Sequence, residues 1–239
     1  MPRFFLEQID PDNIRITGAD AHHIGHALRM RVGETLTVCA NGTDYHCRIT
    51  AITPDEVLLT AESSQLCAAE PTIHLTVYQA LPKADKLSQI IQKSIELGAS
   101  RIVPVLTRRC VARPTQKDFD KKLSRLQKVA ESAAKQSGRG IIPTVAPLYT
   151  WQEALNEMAQ ADRGLLFYEG GGMRFHEVPL DGCKEIAVLI GSEGGFDPEE
   201  AEAAKAAGIL PVWLGNRILR CETAPLAVIS VLMHLTGNL

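Results

Sequence analysis

From about residue 72 to the end of the chain, short apolar segments alternate with amphipathic ones, and this alternation restricts the possible folds more than any other feature. The apolar segments have the length of strands, and predicted strands cover Ile73–Ala80, Ile102–Leu106, Gly164–Tyr168, Ile186–Ile190 and Val212–Leu214. Helices are predicted between and after them, at Lys83–Leu97, Asp118–Ser137, between Asp197 and Gly208, and at Glu222–Leu235. Strands that are apolar at consecutive positions are buried on both faces. The pattern therefore predicts an α/β fold with a largely parallel sheet covered by helices.

Two of these helices also carry recognisable end signals. Asp197 is a typical N-cap, Pro198 follows at the first helical position, and Glu200 completes a pattern like a capping box. Gly208 and Gly98 stand where a glycine just past the last turn would end a helix. These signals predict helix borders independently of the apolar pattern.

Residues 1–70 have a different rhythm, with short alternating segments typical of antiparallel strands. Strands are predicted at Leu36–Val38, Tyr45–Ile49 and Val57–Leu59. Asn41 and Gly42 predict a tight hairpin between the first two, because a type I′ turn needs positive φ at both central residues. A helical segment is predicted at Ala21–Met30. We therefore predict a small, mostly antiparallel β-domain at residues 1–70 and an α/β domain at residues 72–239.

Charge is distributed unevenly along the chain, whose 239 residues carry a net charge of −3. Between Arg101 and Gly140 there are eleven basic residues and three acidic ones, a local net charge of +8. Such segregation favours one face that meets nucleic-acid phosphates on an otherwise acidic body. The alternative is a solvated helix face that is basic without binding anything.

The cysteines and the N-terminus favour a cytoplasmic protein. The six cysteines lie scattered, without a C-x-x-C pair or a histidine at zinc spacing, so we expect reduced thiols and no metal site. Glu7 ends the apolar run at the N-terminus, which is therefore unlike a secretory signal. The apolar stretch Ile186–Ile190 is too short to cross a membrane. His22, His23 and His26 share one stretch without a further ligand nearby, so a packed or surface role is expected.

The segment from Ile190 to Asp197, IGSEGGFD, is a glycine-rich turn between a buried strand and a well-capped helix. Glycines let the backbone approach a ligand closely, and ligands of open α/β sheets bind beyond the carboxyl ends of strands. The pattern is neither G-x-G-x-x-G nor a P-loop, so a dinucleotide-dependent oxidoreductase lacks its fingerprint. A plain tight turn is the alternative to a ligand site.

The segment from Leu214 to Ala224, LGNRILRCETA, also follows a strand directly. It places Arg217, Arg220 and Glu222 in one short loop before an apolar helix. Two strand-end loops of this kind can converge on one pocket. The alternative is an exposed connection in which Thr223 or Glu222 favours the helix N-terminus.

These two strings, in this order near the C-terminus, resemble the cofactor motifs of the SPOUT methyltransferases. They are most similar to the family that methylates N3 of a uridine in 16S ribosomal RNA. Weaker matches lie at Arg3–Phe5, His26–Arg29, Gln92–Gly98 and Gln136–Arg139, so the resemblance spans nearly the whole chain in family order. It implies a small PUA-like β-barrel domain, an α/β domain with a C-terminal trefoil knot, and a homodimer that acts on 16S rRNA, within the small ribosomal subunit.

The resemblance also implies roles for individual residues. S-adenosylmethionine would be held by Leu166, Phe167, Tyr168, Glu169, Ile190, Gly191, Glu193, Gly194, Gly195, Leu214, Gly215, Asn216, Ile218, Leu219, Thr223 and Ala224. The catalytic candidates are Arg220, Arg217, Glu222 and Arg139, with Glu193 as a second carboxylate that could remove a proton. Contacts with RNA are expected from Arg3, Arg29, Arg31, Lys93, Arg108 and Arg139.

Ser192, Cys221 and Lys135 depart from the family pattern, which leaves the fine tuning of substrate choice open. Two other functions remain open at this point. One is a different SPOUT enzyme, which would methylate a ribose 2′-hydroxyl or a transfer RNA base. The other is a non-catalytic RNA-binding factor of ribosome assembly. The intact glycine and arginine motifs speak against the second, because a factor that only binds RNA need not keep a cofactor site.

Overall fold

The computed structural model describes all residues from Met1 to Leu239 and divides into two compact units. The N-terminal unit comprises Met1–Glu70 together with Ala134–Ile142. The C-terminal unit comprises Pro71–Ala133 and Pro143–Leu239. The predicted domain border near residue 71 coincides with the end of the first segment of the N-terminal unit, at Glu70. The second segment of that unit, Ala134–Ile142, was not predicted.

The N-terminal unit is built on a five-stranded sheet in the order β1-β3-β4-β5-β2. Its strands are β1 (Arg3–Phe5), β2 (Ile14–Thr17), β3 (Thr35–Ala40), β4 (Thr43–Ile52) and β5 (Glu56–Leu66). β1 pairs with β3 in parallel, and the other pairs are antiparallel, as predicted. The edge strands β1 and β2 do not pair with each other. Hydrogen bonding therefore leaves the sheet open, where the sequence resemblance implied a barrel.

The hairpin between β3 and β4 is confirmed. Asn41 and Gly42 have φ values of 48° and 76°, and Ala40 faces Thr43 across the turn. Both central residues lie in the left-handed region that a type I′ turn requires, and the Asn-Gly pair tolerates this conformation. The turn thereby sets the register between β3 and β4.

The helical segment of this unit begins earlier than predicted. Helix α1 (Gly18–His22) passes directly into a π-helical turn at His23–Ala27. Arg29 then has a φ of 52°, which ends the helical geometry before Met30. Ala21 and Ile24 pack into the core that the sheet contributes, together with Phe4, Ile14, Ile16, Leu36, Val38, Ile49, Val57 and Leu59.

The C-terminal unit contains an eight-stranded parallel sheet, in which β9 pairs with β7 and the remaining order is β11-β13-β10-β12-β6-β7-β8. Its strands are β6 (His74–Ala80), β7 (Arg101–Leu106), β8 (Thr144–Val145), β9 (Tyr149–Thr150), β10 (Arg163–Phe167), β11 (Met173–Arg174), β12 (Glu185–Ile190) and β13 (Leu210–Trp213). Its helices are α2 (Lys86–Glu96), α3 (Gln116–Ser137), α4 (Trp151–Met158), α5 (Pro198–Ala206) and α6 (Ala224–Leu235), although the end of α3 from Ala134 onward belongs to the N-terminal unit. A short 3-10 turn lies at Phe175–Glu177.

The largely parallel sheet predicted from the apolar runs is confirmed. Five consecutive residues of β12 after Glu185 are buried, and so are six consecutive residues of β6 after His74. Consecutive burial means that both faces of these strands are covered. The long helix α3 buries Phe119, Leu126 and other residues of its predicted apolar stripe. None of the helices is both long enough and apolar enough to cross a membrane.

The predicted start of α5 is confirmed in detail. The Asp197 carboxylate accepts a hydrogen bond from the Glu199 N–H at 3.1 Å, and the Glu200 carboxylate accepts one from the Asp197 N–H at 3.0 Å. Pro198 occupies the first turn, where its missing N–H has no cost. The capping box therefore fixes the point where the glycine-rich loop becomes helix.

Candidate cofactor site at the carboxyl edge of the parallel sheet

Three neighbouring strands, β13, β10 and β12, end at the same edge of the sheet. Their ends lie in register to within one residue, because Phe167, the last residue of β10, pairs with both Ile190 and Val212. The loops that leave these strands are therefore adjacent, although they are far apart in sequence. This edge is where open α/β sheets bind ligands.

The loops enclose a cavity of about 690 Å³, within the usual range for small-molecule sites. Its wall contains most residues predicted for the cofactor: Phe167, Tyr168, Glu169, Ile190, Gly191, Glu193, Gly194, Gly195, Leu214, Gly215, Asn216, Ile218, Leu219 and Ala224. Two predicted residues do not line it. Leu166 is fully buried within β10, and Thr223 lines a second cavity beside α6.

The wall also contains four residues that had been predicted neither for the cofactor nor for catalysis, namely Lys86, Ser192, Trp213 and Cys221. Trp213 is the last residue of β13, and Ser192 and Cys221 lie inside the two motifs. Their position in the chain could have indicated them. Lys86 begins α2, which follows the carboxyl end of β6, and only the sheet order brings it to this site.

The glycine-rich loop has a shape that depends on Gly195. Its N–H donates to the Ser192 carbonyl at 3.0 Å, and its φ is 64°. A Cβ at this position would overlap the Glu169 carboxylate across the cavity. A side chain here would be strained and would also fill the space in which a ligand can approach the backbone.

The chemistry of the cavity wall fits S-adenosylmethionine. The Ser192 hydroxyl is buried and has no hydrogen-bond partner within the chain, so a polar ligand group can satisfy it. The carboxylates of Glu169 and Glu193 are acidic groups on the wall that can face a sulfonium cation, beside the cationic side chains of Lys86, Arg217 and Arg220. Apolar surface from Phe167, Leu214 and Leu219 is available for uncharged parts of the ligand.

Lys86 joins the Glu193 carboxylate of this wall to the carboxylate of Glu222, which lies beside the cavity without lining it. Its Nζ lies 3.1 Å from Glu193 Oε1 and 3.0 Å from Glu222 Oε2. The Glu193 carboxylate also accepts the backbone N–H of Lys83 at 3.2 Å. The Cys221 thiol donates to Glu222 Oε2 at 3.2 Å. These contacts tie together the glycine-rich loop, the start of α2 and the segment before α6.

The contacts hold both glutamates as anions. The Lys86 ammonium, with smaller help from the Cys221 thiol and a backbone N–H, lowers the pKa of Glu222 to about 2. Partial burial alone would raise the pKa of Glu193. Hydrogen bonds from its own N–H, Lys86 and the Lys83 N–H outweigh burial and lower that pKa. Burial and the adjacent carboxylates raise the pKa of the Cys221 thiol to about 12. A carboxylate with a lowered pKa is a weak proton acceptor, so the geometry disfavours Glu193 and Glu222 as general bases.

Arg217 and Arg220 differ from Lys86 in that their charges are not paired within the chain. Both line the cavity and are exposed, and no hydrogen bond or ion pair with the chain holds either guanidinium. The Arg220 carbonyl accepts the N–H groups of Thr223 and Ala224 at 2.8 and 2.9 Å, which fixes the backbone that carries its side chain. Both cationic groups are therefore available to a bound substrate.

Arg139, predicted to be catalytic and to contact RNA, lies instead in the interior of the N-terminal unit. Only 3% of the residue is exposed. Its Nε and one terminal nitrogen donate to the two carboxylate oxygens of Glu70 at 2.9 and 2.8 Å. A guanidinium held in this way is not presented to a substrate, so the geometry favours a structural role for Arg139 over the predicted catalytic and RNA-binding ones.

Arg3 is placed similarly. It donates to both carboxylate oxygens of Asp44 at 2.6 and 2.9 Å, and its side chain is largely buried. Burial alone would raise the pKa of Asp44, but the hydrogen bonds from Arg3 and from Cys39 lower it. Because its charge is already paired inside the fold, the geometry favours a structural role for Arg3 over the predicted RNA contact.

The other residues predicted to contact RNA lie on the surface. Arg29 and Arg31 are exposed on the N-terminal unit. In the C-terminal unit, Lys93 is half-buried and pairs with Glu96 at 2.8 Å. Arg108 is exposed and pairs with Glu199 at 2.5 Å, near the N-terminus of α5. The geometry does not bring these four residues into the cavity.

Comparison with known families defines the class of protein first. Residues 69–233 match the family model of the RNA methyltransferase domain, and residues 16–62 match that of the RNA methyltransferase PUA domain. The chain is thus an RNA methyltransferase with an N-terminal PUA-like domain and a methyltransferase domain on a parallel sheet.

Individual relatives narrow this class. The Ribosomal RNA small subunit methyltransferase E of Bacillus subtilis is 32% identical, over 99% of this chain and 97% of the relative. The crystal structure of the Neisseria gonorrhoeae protein of that name, bound to S-adenosyl methionine, has a TM-score of 0.89 at 30% identity and 98% coverage of both chains. A putative methyltransferase of Legionella pneumophila in complex with the same cofactor has a TM-score of 0.85 at 27% identity, covering 98% of this chain and 97% of that one. The chain belongs to the ribosomal RNA small subunit methyltransferase E family.

Proposed function

We propose that this chain transfers the methyl group of S-adenosylmethionine to N3 of a uridine in 16S ribosomal RNA. The observation that carries the proposal is the cavity at the carboxyl edge of β10, β12 and β13, where two unpaired arginines share a wall with the glycine-rich loop. The family relatives named for small-subunit ribosomal RNA and the neighbours solved with the cofactor support the same reaction.

The backbone of the glycine-rich loop and of the segment Leu214–Leu219 would hold the cofactor, with the Ser192 hydroxyl as a further polar contact. When bound, S-adenosylmethionine supplies an electrophilic methyl group on a sulfonium. The protein must then position the acceptor nitrogen in line with that methyl group and exclude competing water.

The acceptor sets the harder problem, because N3 of uridine carries a proton at neutral pH. Negative charge develops on the uracil ring as this proton leaves. Arg217 and Arg220 are the cationic groups free to stabilise that charge at the uracil oxygens. Because the lowered pKa values of Glu193 and Glu222 make them weak proton acceptors, we propose that the proton passes to solvent, and that these carboxylates shape the cavity.

We further propose that the enzyme acts as a homodimer through α6. The outer face of this helix carries apolar side chains, and Val231 and Leu235 are 38% and 42% exposed. Ile218, which lies shortly before the helix in the sequence, is 86% exposed. A cavity of about 550 Å³ beside this face is lined by Ala227, Val231 and Arg217. Apolar surface of this kind is typical of a protein interface.

The trefoil knot remains part of the proposal. β13 lies beside β10 although β12 comes between them in the sequence, so the connection from β12 to β13 has to pass β10. We also propose that the substrate is presented in the small ribosomal subunit, in the cytoplasm. The basic face of α3 and the exposed Arg29 and Arg31 are the surfaces proposed to meet its phosphates.

The test is mass spectrometry of 16S rRNA digests, after the purified protein is incubated with labelled S-adenosylmethionine and small subunits from a strain that lacks the gene. We expect one label, on uracil N3. Label on a ribose or a guanine would keep the methyltransferase and overturn the uridine-N3 assignment. Absence of label together with absence of cofactor binding by calorimetry would favour a non-catalytic RNA-binding factor.

A further inference from the structure

Lys86 is the one residue that connects the glycine-rich loop with the segment before α6 through side-chain charges. Its ammonium lies 3.1 Å from Glu193 and 3.0 Å from Glu222, and it lines the same cavity. The three residues come from three different segments. They meet because β6, which precedes α2, lies next to β12 in the sheet.

The two carboxylates would repel each other without this ammonium. Lys86 and the two glutamates together carry a charge of −1. Without Lys86, the two glutamates would carry a charge of −2 beside the cavity. Like charges at this spacing either move apart or take up a proton. Either response would change the shape or the charge of the wall that faces the cofactor.

Stability of the fold is a poor explanation for this arrangement. The side chains of Lys86, Glu193 and Glu222 keep 29%, 26% and 23% of their surface exposed. Ion pairs this accessible to solvent contribute little to the free energy of unfolding. The arrangement has a clear geometric effect, however, because Glu193 is also anchored to the Lys83 N–H, next to Ala84 with its φ of 54°.

We infer that Lys86 is a positioning residue, which holds the glycine-rich loop and Glu222 in the arrangement that binds the methyl donor. This inference rests on the proposed function and adds a residue to it. Lys86 acts through the two glutamates and need not touch the reacting atoms.

The experiment is isothermal calorimetry with S-adenosylmethionine, without RNA, on the wild-type protein and on Lys86→Met, Lys86→Arg and Lys83→Met. Lys86→Met should weaken cofactor binding about tenfold to a hundredfold, the effect of losing hydrogen bonds to charged groups. Lys86→Arg keeps the charge and should recover most of the affinity. Lys83→Met is the matched control, because Lys83 contributes only its backbone N–H to Glu193, and its affinity should match the wild type.

The pH dependence separates positioning from general damage to the fold. The titratable groups in mutual contact here are Lys86, Glu193, Cys221 and Glu222, and the other charged side chains on the cavity wall are Glu169, Arg217 and Arg220. In the wild type, both glutamates stay ionised and the thiol stays protonated from pH 6 to pH 8. In Lys86→Met, mutual repulsion raises the pKa of the glutamate pair, and a proton taken up at lower pH restores the charge of −1. The loss of affinity relative to the wild type should therefore shrink from pH 8 to pH 6.

Equal affinity of Lys86→Met and the wild type would overturn the inference and leave the proposed function intact. A loss of the same size at every pH, not recovered by Lys86→Arg, would also overturn it, because that is the pattern of a merely structural residue. Failure of the wild-type protein to bind S-adenosylmethionine would instead contradict the proposed function itself.

Discussion

Gly195 has a backbone conformation that other residues rarely adopt, and it faces the Glu169 carboxylate across the candidate site. Gly195→Val should therefore reduce the affinity for S-adenosylmethionine at least about a hundredfold, since strain and a filled cavity act together. Calorimetry on the folded variant measures this loss. Gly182→Val is the control, because Gly182 has a similar φ of 74° with open space around it. Normal affinity in Gly195→Val would remove this loop from the cofactor site.

Substitution of Arg220 tests the proposed role of a single side chain in methyl transfer. Arg220→Ala should leave the cofactor affinity within a few-fold of the wild type, because the guanidinium makes no contact that shapes the loop. The single-turnover rate of methyl transfer should fall about a hundredfold or more, the effect of losing one donor that stabilises developing charge. Arg220→Lys should recover part of the rate, since it keeps the charge without the planar fork. An unchanged rate in Arg220→Ala would take this residue out of the mechanism.

Local chemistry explains which residues could be predicted from the sequence. The capping box of Asp197 and Glu200 spans four neighbouring residues, and the hairpin at Asn41 and Gly42 spans two, so both were correct. The burial of Arg139 could not be predicted, because its partner, Glu70, lies 69 residues away and no local pattern links them. The sequence indicated Arg217 and Arg220 by motif, but the lowered pKa values of the glutamates depend on Lys86, which only the folded sheet brings near.

Helix α3 presents a basic face on which Lys121, Lys122 and Lys128 are exposed. Replacing these three by glutamine should weaken RNA binding and flatten its salt dependence, by up to about 0.7–0.9 in log–log slope for each lost phosphate contact. Filter binding or fluorescence anisotropy at several salt concentrations measures the slope. Lys184→Gln with Lys205→Gln, two exposed lysines outside this helix, should leave the slope unchanged. An unchanged slope in the triple variant would favour the solvated-face alternative.

Long elements with a clear period were predicted well, and short ones were missed. The borders of α3 differ from the prediction by two residues at its start, and β6, β10 and β12 differ by one. Strands β8, β9 and β11 have two residues each, too few to show any period. Helix α4 was missed although Thr150 and Glu153 form a capping box, because its eight residues give the apolar pattern little length. Whether β1 and β2 pair to close the sheet depends on contacts between distant segments. The hydrophobic period of each segment gives no information about such contacts.

At the scale of the whole molecule, the Arg139–Glu70 pair connects parts of the N-terminal unit that are distant in sequence. Arg139→Met should destabilise the protein by about 3–5 kcal/mol, because it leaves a carboxylate without its buried partner. Arg48→Met is the matched control from the same unit. The Arg48–Glu62 pair is about half exposed, so its loss should change the free energy of unfolding by less than about 1 kcal/mol.

Denaturant unfolding measures both variants, and calorimetry with S-adenosylmethionine is run under conditions where Arg139→Met is folded. We expect the loss of stability without a comparable loss of cofactor affinity. Wild-type stability combined with a large loss of methyl transfer would restore Arg139 as a residue of the reaction and contradict the structural role.

The return of Ala134–Ile142 to the N-terminal unit has a consequence for the order of events during synthesis. Domains usually fold as they leave the ribosome, the first one first. Here Glu70 emerges while its partner Arg139, and the backbone N–H groups of Gly140 and Ile141 that it also accepts, are still to be made. At ordinary translation speeds the wait is roughly 4–14 s. The nascent N-terminal sheet therefore spends those seconds without its last segment, and the domain encoded first is completed only when more than half of the protein has been translated.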